Sequence, residues 1–268
     1  MRILVTNDDG IAAPGLRALA SAFVDEGHDV VVAAPLNEAS GSSAAMTAIV
    51  KDGRVVVQRR RLSGLDSVTA YGVAGSPGYI VVLATIGAFG DPPDLVLSGI
   101  NRGANAGQAV LHSGTVGAAL TAANTGCRAM AVSLDVLSPS AGTAASGGAA
   151  IAALDTVDDE ARNWRCAAEI AAGLLDSLLE APSRTVLNLN VPDLPRGEVR
   201  GLQRATLARF GQVEMAVAEA GEGFVRTSIH ESGARVEPGT ELAYLAEGFA
   251  TITAIRAIVE AKEFTLPG

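Results

Sequence analysis

The chain has 268 residues, 49% of them hydrophobic and 18% charged, which suits a large core and argues against a disordered chain, a collagen or a coiled coil. Lys and Arg number 20 against 29 Asp and Glu, a formal net charge of −9. An acidic chain without a basic stretch repels polyphosphate and disfavours extended DNA or RNA, while a small phosphorylated ligand can still be held by local donors or a metal.

The short apolar run Ile3-Leu4-Val5 reads as a buried parallel strand. Asn7-Asp8-Asp9-Gly10 breaks it, and Pro14 stands where a helix can begin. Leu16, Leu19, Ala20 and Phe23 then share one helical face, with Gly27 placed to close the helix. Val30 to Ala34 is a second strand stopped by Pro35, and Asn37 to Thr47 is a polar loop. Val55 to Val57 is expected as a strand beside Arg59-Arg60-Arg61, which reads as a solvated face, and Tyr79 to Ala88 as a helix. Leu95 to Leu97 is another buried strand, followed by an expected Gly/Asn-rich loop from Ser98 to Ser113. Val116, Ala119, Leu120 and Ala123 make the next helical face, closed by Gly126, and Ala129 to Leu134 the next strand.

Ser138 to Gly148 is low in complexity and is expected to be a mobile loop. Trp164 to Leu178 carries a helical apolar face, with Trp164 in the core, and Val186 to Val191 is a strand ended by Pro192. Leu194 to Gly248 is polar and Gly-spaced, suited to strands and a hairpin arm. Phe249 to Ile255 is a late strand, and Ile255 to Lys262 has helical character. Strands alternating with helices imply an α/β fold with an open, largely parallel sheet. The expected division is a core over residues 1–195 and a C-terminal extension over 196–268.

Cys127 and Cys166 form no CxxC pair and no disulfide framework, which fits a reduced, cytoplasmic setting. The opening apolar run is too short for a signal peptide, and the longest apolar stretch, Tyr79–Phe89, is too short for a membrane span.

In an open parallel sheet, ligands bind beyond the C-terminal ends of the strands. There the loops carry Asp8-Asp9, then Ser40-Gly41-Ser42-Ser43, then Asn101 and Asn105. Two adjacent carboxylates need a cation or protons when packed together, and Asp8, Asp9, Ser40 and Asn101 supply the oxygen donors of a hard divalent ion. The plainer alternative is that Asp8 or Asp9 caps the helix near Pro14. Ser113-Gly114-Thr115 precedes a helix, so it either caps that helix or presents N–H groups to an anion. Gly99, Gly103 and Gly107 serve turns or a close approach of backbone to phosphate. No GxGxxG, P-loop or GxSxG signature is present. His28 reads as a surface residue, His112 as a loop residue able to touch a ligand, and Cys127 as a buried thiol.

Taken in order, these motifs resemble the SurE family of survival-protein 5′/3′-nucleotidases. The carriers are Ile3-Leu4-Val5-Thr6-Asn7-Asp8-Asp9-Gly10 with Ala13-Pro14-Gly15, then Ala34-Pro35 with Ser40-Gly41 and Thr47. Ser98-Gly99-Ile100-Asn101 with Gly103, Asn105 and Gly107 follows the pattern SGINxGxNxG, and Ser113-Gly114-Thr115-Val116 with Ala118-Ala119 follows SGTVxAA. Ala131 to Leu134 and Asn188 to Pro192 fit as well. The resemblance implies a Rossmann-like core and a phosphatase for nucleoside monophosphates that uses one Mg²⁺ or Mn²⁺ per subunit. It places Asp8, Asp9, Ser40 and Asn101 on the metal, with Asp8, Asp9 and Asn101 catalytic. Ser113, Gly114 and Thr115 fall on the family's phosphate-binding segment, and Asn105 is a further substrate-binding candidate.

The resemblance further implies a homodimer or homotetramer with exchanged C-terminal elements, the arm lying between Leu202 and Pro238. The chain departs from the family pattern at Ala44, where His is common, at Gly78 and Tyr79, at Thr121, and at Leu36, Glu38 and Ala39. Ser138 to Asn163 reads as an insertion. Two other readings compete. Gly27 to Pro35 resembles the first βαβ unit of nucleotide-sugar glycosyltransferases, and a non-catalytic metal- or nucleotide-binding scaffold is the third possibility.

Overall fold

Strand β1 (Arg2–Thr6) buries both of its faces, Ile3 and Val5 in one core layer and Leu4 in the other. That is why its apolar residues run together instead of alternating with polar ones. The computed structural model describes residues 1–137, 158–209, 213–221, 224–231, 237–256 and 258–259. After β1 come helix α1 (Pro14–Asp25), β2 (Asp29–Pro35), a small β3–β4 hairpin (Val50–Lys51, Arg54–Val55), β5 (Val57–Arg60) and β6 (Thr69–Val73). Helix α2 (Pro77–Thr85), β7 (Leu95–Arg102), a 3₁₀ turn (Gly107–His112), α3 (Gly114–Asn124) and β8 (Arg128–Asp135) follow. The second half holds α4 (Trp164–Ala172), α5 (Leu175–Glu180), β9 (Thr185–Pro192), β10 (Leu202–Arg204), the hairpin β11–β12 (Val213–Gly221, Phe224–Glu231), α6 (Glu241–Ala246) and β13 (Ala250–Arg256).

Nine strands form one sheet in the order β10-β13-β9-β8-β7-β1-β2-β6-β5. From β9 to β6 every neighbouring pair is parallel, while β13 runs antiparallel to β9 and β5 antiparallel to β6. Helices α1 and α4 pack together on one face around Leu16, Leu19, Phe23 and Trp164. Helices α2 and α3 pair on the other face around Ile80, Val81, Val116 and Ala119. The expected α/β fold with a largely parallel sheet flanked by helices is therefore observed. Two strands of the C-terminal extension, β10 and β13, complete one edge of the sheet.

Several local expectations are corrected. The Ser98–Ser113 stretch is not one loop: β7 continues to Arg102, and Gly107–His112 makes a 3₁₀ turn. The Trp164–Leu178 helix is two helices, because Gly173 caps α4 and α5 restarts at Leu175. Strand β6 has no clear sequence signal, since Thr69-Ala70-Tyr71-Gly72-Val73 lacks a strong apolar run. Pairing with β2 makes it a strand, and the approach at Gly72 is so close that a Cβ there would lie 2.6 Å from Leu36 Cδ2. His28 is half-buried against Phe23, and Cys127 is half-buried with its thiol on Pro93 O, so neither sits where expected. Ile255 and Arg256 belong to β13 and are not helical. The Ser138–Gly148 loop lies outside the described residues, as do 257 and 260–262.

Candidate active site

Along the sheet, β2 lies on one side of β1 and β7 on the other. The strand order thus reverses beside β1, and this is where an open α/β sheet leaves a crevice at the carboxyl ends of its strands. Asp8 and Asp9 follow β1 after Asn7, and Asn101 lies at the end of β7. Asn7 shapes the acidic turn: its Nδ2 donates to Gly10 O at 3.1 Å and its Oδ1 accepts from Gly10 N at 3.2 Å. The Ala39 N–H donates to Asp8 O at 2.7 Å and the Ile11 N–H to Pro35 O at 2.8 Å, which draws the loop after β2 over the turn. At the end of β7 a register shift between Ser98 and Asn101 re-aims the strand. Gly99 permits it, since a Cβ there would lie 2.2 Å from Val132 O.

Neither aspartate caps α1, whose N-cap is Ala13 without a side-chain bond, so the capping alternative is set aside. Asp8 is buried, and Thr115 Oγ1 donates to its Oδ1. Gly114 packs against the same carboxylate, where a Cβ would lie 2.7 Å from Asp8 Oδ2. Burial pushes the Asp8 carboxyl above its ordinary range, against the pull of hydrogen bonds from Thr115 and Gly114. Asp9 is raised from 3.8 to about 7, first by burial and then by the negative charge of Asp8. The Arg102 N–H, 3.4 Å from Asp9 Oδ2, offsets this only in part.

Asp8, Asp9, Ser40, Asn101, Asn105 and Ser113 all line one open cavity of about 270 Å³, together with Glu38, Gly41, Arg102, Ala109 and His112. The Asn101 Nδ2 donates to Gly103 O at 2.7 Å, which leaves Oδ1 as the end of that amide able to meet a cation. The Ser40 hydroxyl donates to Glu38 Oε1 at 2.6 Å, so its lone pairs remain for another partner. Among the described residues no three His, Cys, Asp or Glu side chains come together as a metal cluster. The candidate donor set is the carboxylates of Asp8 and Asp9 with neutral oxygens beside them, and Glu38 is a third carboxylate on the cavity wall. Two adjacent carboxylates, Asp8 buried and Asp9 half-buried, both held above their ordinary range, call for positive charge, and an all-oxygen set suits a hard divalent ion. The residues therefore fit Mg²⁺ or Mn²⁺.

The Ser113-Gly114-Thr115 segment divides its work. Ser113 caps α3 by accepting from the Val116 N–H at 3.0 Å and also lines the cavity. Gly114 and Thr115 turn to Asp8 and are not among the lining residues. Asn105 is held on all sides: its N–H donates to Asn190 Oδ1 at 2.8 Å and its Nδ2 to Ser133 Oγ at 2.9 Å. Its carbonyl accepts from Asn188 Nδ2 at 2.8 Å and Asn190 Nδ2 at 3.1 Å.

Sequence reasoning does not find Arg102, and it places Asn7, Ser133, Asn188 and Asn190 in motifs without the turn-shaping and supporting roles they have here. A signal for the support existed, because two asparagines spaced by two in an apolar strand point to one side of the sheet. Three departures from the family pattern also meet. A Cβ on Gly78 would lie 3.3 Å from Thr121 Oγ1 and 3.5 Å from the Ala44 carbonyl carbon, so these small residues pack as a group.

The sheet and this crevice define an α/β protein with a candidate hard-cation site at its switch point. The model of the family described as survival protein SurE matches residues 3–215, and the chain belongs to that family. It is 36% identical over 266 residues to the 5′-nucleotidase SurE of Stutzerimonas stutzeri (strain A1501), covering 96% of this chain and 92% of that one. It is 38% identical over 221 residues to the 5′-nucleotidase SurE of Legionella pneumophila subsp. pneumophila (strain Philadelphia 1), covering 82% and 75%. The crystal structure of the SurE protein from Aquifex aeolicus superposes with a TM-score of 0.71 at 25% identity, over 98% of this chain and 96% of that one.

Proposed function

We propose that this protein is a divalent-metal-dependent phosphatase that hydrolyses nucleoside 5′- or 3′-monophosphates to nucleoside and phosphate. The observation that carries the reading is the adjacent pair of carboxylates, buried Asp8 and half-buried Asp9, lining one cavity with the neutral oxygen donors of Ser40 and Asn101. The relatives' designation as 5′-nucleotidases supports the substrate class. A bound Mg²⁺ or Mn²⁺ would supply charge at the phosphate oxygens and a more acidic water. Asp8, Asp9, Ser40 and Asn101 would hold it.

Asp8 is fixed by Thr115 and serves to hold. Asp9, met by a single long backbone bond, would orient the attacking water and take its proton at a carboxylate oxygen, and that proton would pass to the departing nucleoside oxygen as the P–O ester bond breaks. The second N–H of the Asn101 amide and the Ser113 hydroxyl, whose oxygen accepts from the Val116 N–H, would steady the phosphate oxygens, and Asn105 would orient the ester through its asparagine support.

The nucleotide-sugar glycosyltransferase reading needs two similar domains, and the described residues form one large, mostly parallel sheet whose edge the C-terminal strands complete, with two small hairpins beside it. The β11–β12 hairpin, with Val217, Phe224 and Val225 exposed, is our proposed arm for a homodimer or homotetramer. Cys127 and Cys166 are free thiols, which accords with a cytoplasmic setting. No helix among the described residues is long and apolar enough to cross a membrane.

Phosphate release from a panel of nucleoside monophosphates, with Mn²⁺, with Mg²⁺ and with a chelator, tests the proposal. Metal-dependent release is expected. Mn²⁺ binding by calorimetry with no release across the panel would favour the scaffold reading, and sugar transfer without phosphate release would favour the glycosyltransferase.

A further inference from the structure

Glu241 is a fully buried carboxylate that lies outside the cavity, at the start of α6 in the C-terminal extension. Burying such a group is costly unless its oxygens find donors. Both do: the Gly107 N–H donates to Oε1 at 2.6 Å, and the Ala208 N–H donates to Oε2 at 2.8 Å. Two backbone bonds close the arrangement, from the Gln108 N–H to Ala208 O at 3.1 Å and from the Glu241 N–H to Thr206 O at 3.2 Å. One side chain thus ties the extension to the first residue of the Gly107–His112 turn. That turn carries Ala109 and His112 to the cavity and ends at Ser113.

We propose that Glu241 is a positioning residue for the phosphatase site, acting through Gly107 to fix the cavity wall formed by Ala109 and His112. This rests on the phosphatase reading above. The chemistry explains why a carboxylate is needed. Two N–H donors converge on one side chain, so both of its terminal atoms must accept. Glutamine would turn its NH₂ on one of those donors and leave a buried donor unpaired. Aspartate is shorter by one methylene and cannot span both. The metal-site candidates Asp8, Asp9, Ser40 and Asn101 lie on other segments, so a loosened turn should alter substrate fit and spare metal binding.

The test compares E241Q with T240V. Thr240 caps α6 by accepting from the Ala243 N–H at 3.4 Å, so T240V weakens the helix without touching the carboxylate. For E241Q we expect a KM for adenosine 5′-monophosphate raised about tenfold, a smaller change in kcat, and an unchanged Mn²⁺ affinity by calorimetry. Amide hydrogen exchange over residues 107–112 should quicken about tenfold in E241Q and stay at the wild-type rate in T240V. If E241Q does not accumulate as folded protein, E241D is measured with the same expected directions. Wild-type exchange and KM in the Glu241 variant would overturn the proposal. So would a KM in T240V that rises in step with its loss of Tm, the mark of a purely structural effect. Wild-type protein that releases no phosphate would instead remove the phosphatase reading, and exchange would still decide whether Glu241 holds the turn.

Discussion

Asp9 sits between two opposing influences. Burial and the charge of Asp8 push its carboxyl up to about 7, and a cation at the site would reverse that preference. D9N should therefore lower metal-dependent turnover at least about a hundredfold and weaken Mn²⁺ binding in calorimetry. Wild-type phosphate release from D9N would remove Asp9 from the chemistry. Glu38 orients the Ser40 hydroxyl through a 2.6 Å bond, in the manner of groups that support a metal's ligands. E38Q, which keeps the shape and removes the charge, should cost about 10-fold in Mn²⁺ affinity, the low end for such support. Replacing Thr115 with Val deletes the hydroxyl on Asp8 and leaves a buried carboxylate oxygen short of a donor, at a cost of about 1–3 kcal/mol readable in denaturant unfolding.

The ends of β1 and β7 bring these side chains together, and the helix packed across them restricts how either can move. Gly15 in α1 lies so near the end of β7 that a Cβ would be 2.3 Å from Ile100 O, one residue before Asn101. Two effects compete in G15A. Alanine gains about 1 kcal/mol of helix propensity, while overpacking a backbone contact costs about 1–3 kcal/mol. At 2.3 Å the obstacle is a backbone carbonyl, not the tip of a flexible side chain, so overpacking wins. G15A is expected to lower Tm, and to lower phosphate release by displacing Asn101. A Tm at or above the wild-type value would show that the contact yields without cost.

Metal binding and folding stability are coupled across the whole chain. An acid whose folded pKa is raised favours the folded state while protonated, so its contribution is full below about pH 4 and is lost as pH rises through about 7. The difference in Tm between metal-free wild-type protein and D9N should therefore shift against the wild type over that range. Mn²⁺ at about 100 times its Kd should restore about 2.7 kcal/mol, or roughly 5–10 °C in Tm for a chain of this size. A Tm indifferent to Mn²⁺ at neutral pH would sink the proposed site.

Much of this fold was legible because burial leaves periodic marks along a chain. Ile3-Leu4-Val5, the helical face from Leu16 to Phe23 and the run Val186 to Val191 each declared an element from local pattern alone. The polar residues that break these patterns declared where chemistry could sit. What the chain could not declare was adjacency. Only the folded sheet puts β7 beside β1, sets Thr115 on Asp8 from 107 positions away, and joins Glu241 to Gly107 across 134. Only packing shows that Ala44, Gly78 and Thr121 form one group. Periodicity reports which face of an element is buried, whereas the partner across that face depends on the path of the whole chain, which no local window contains.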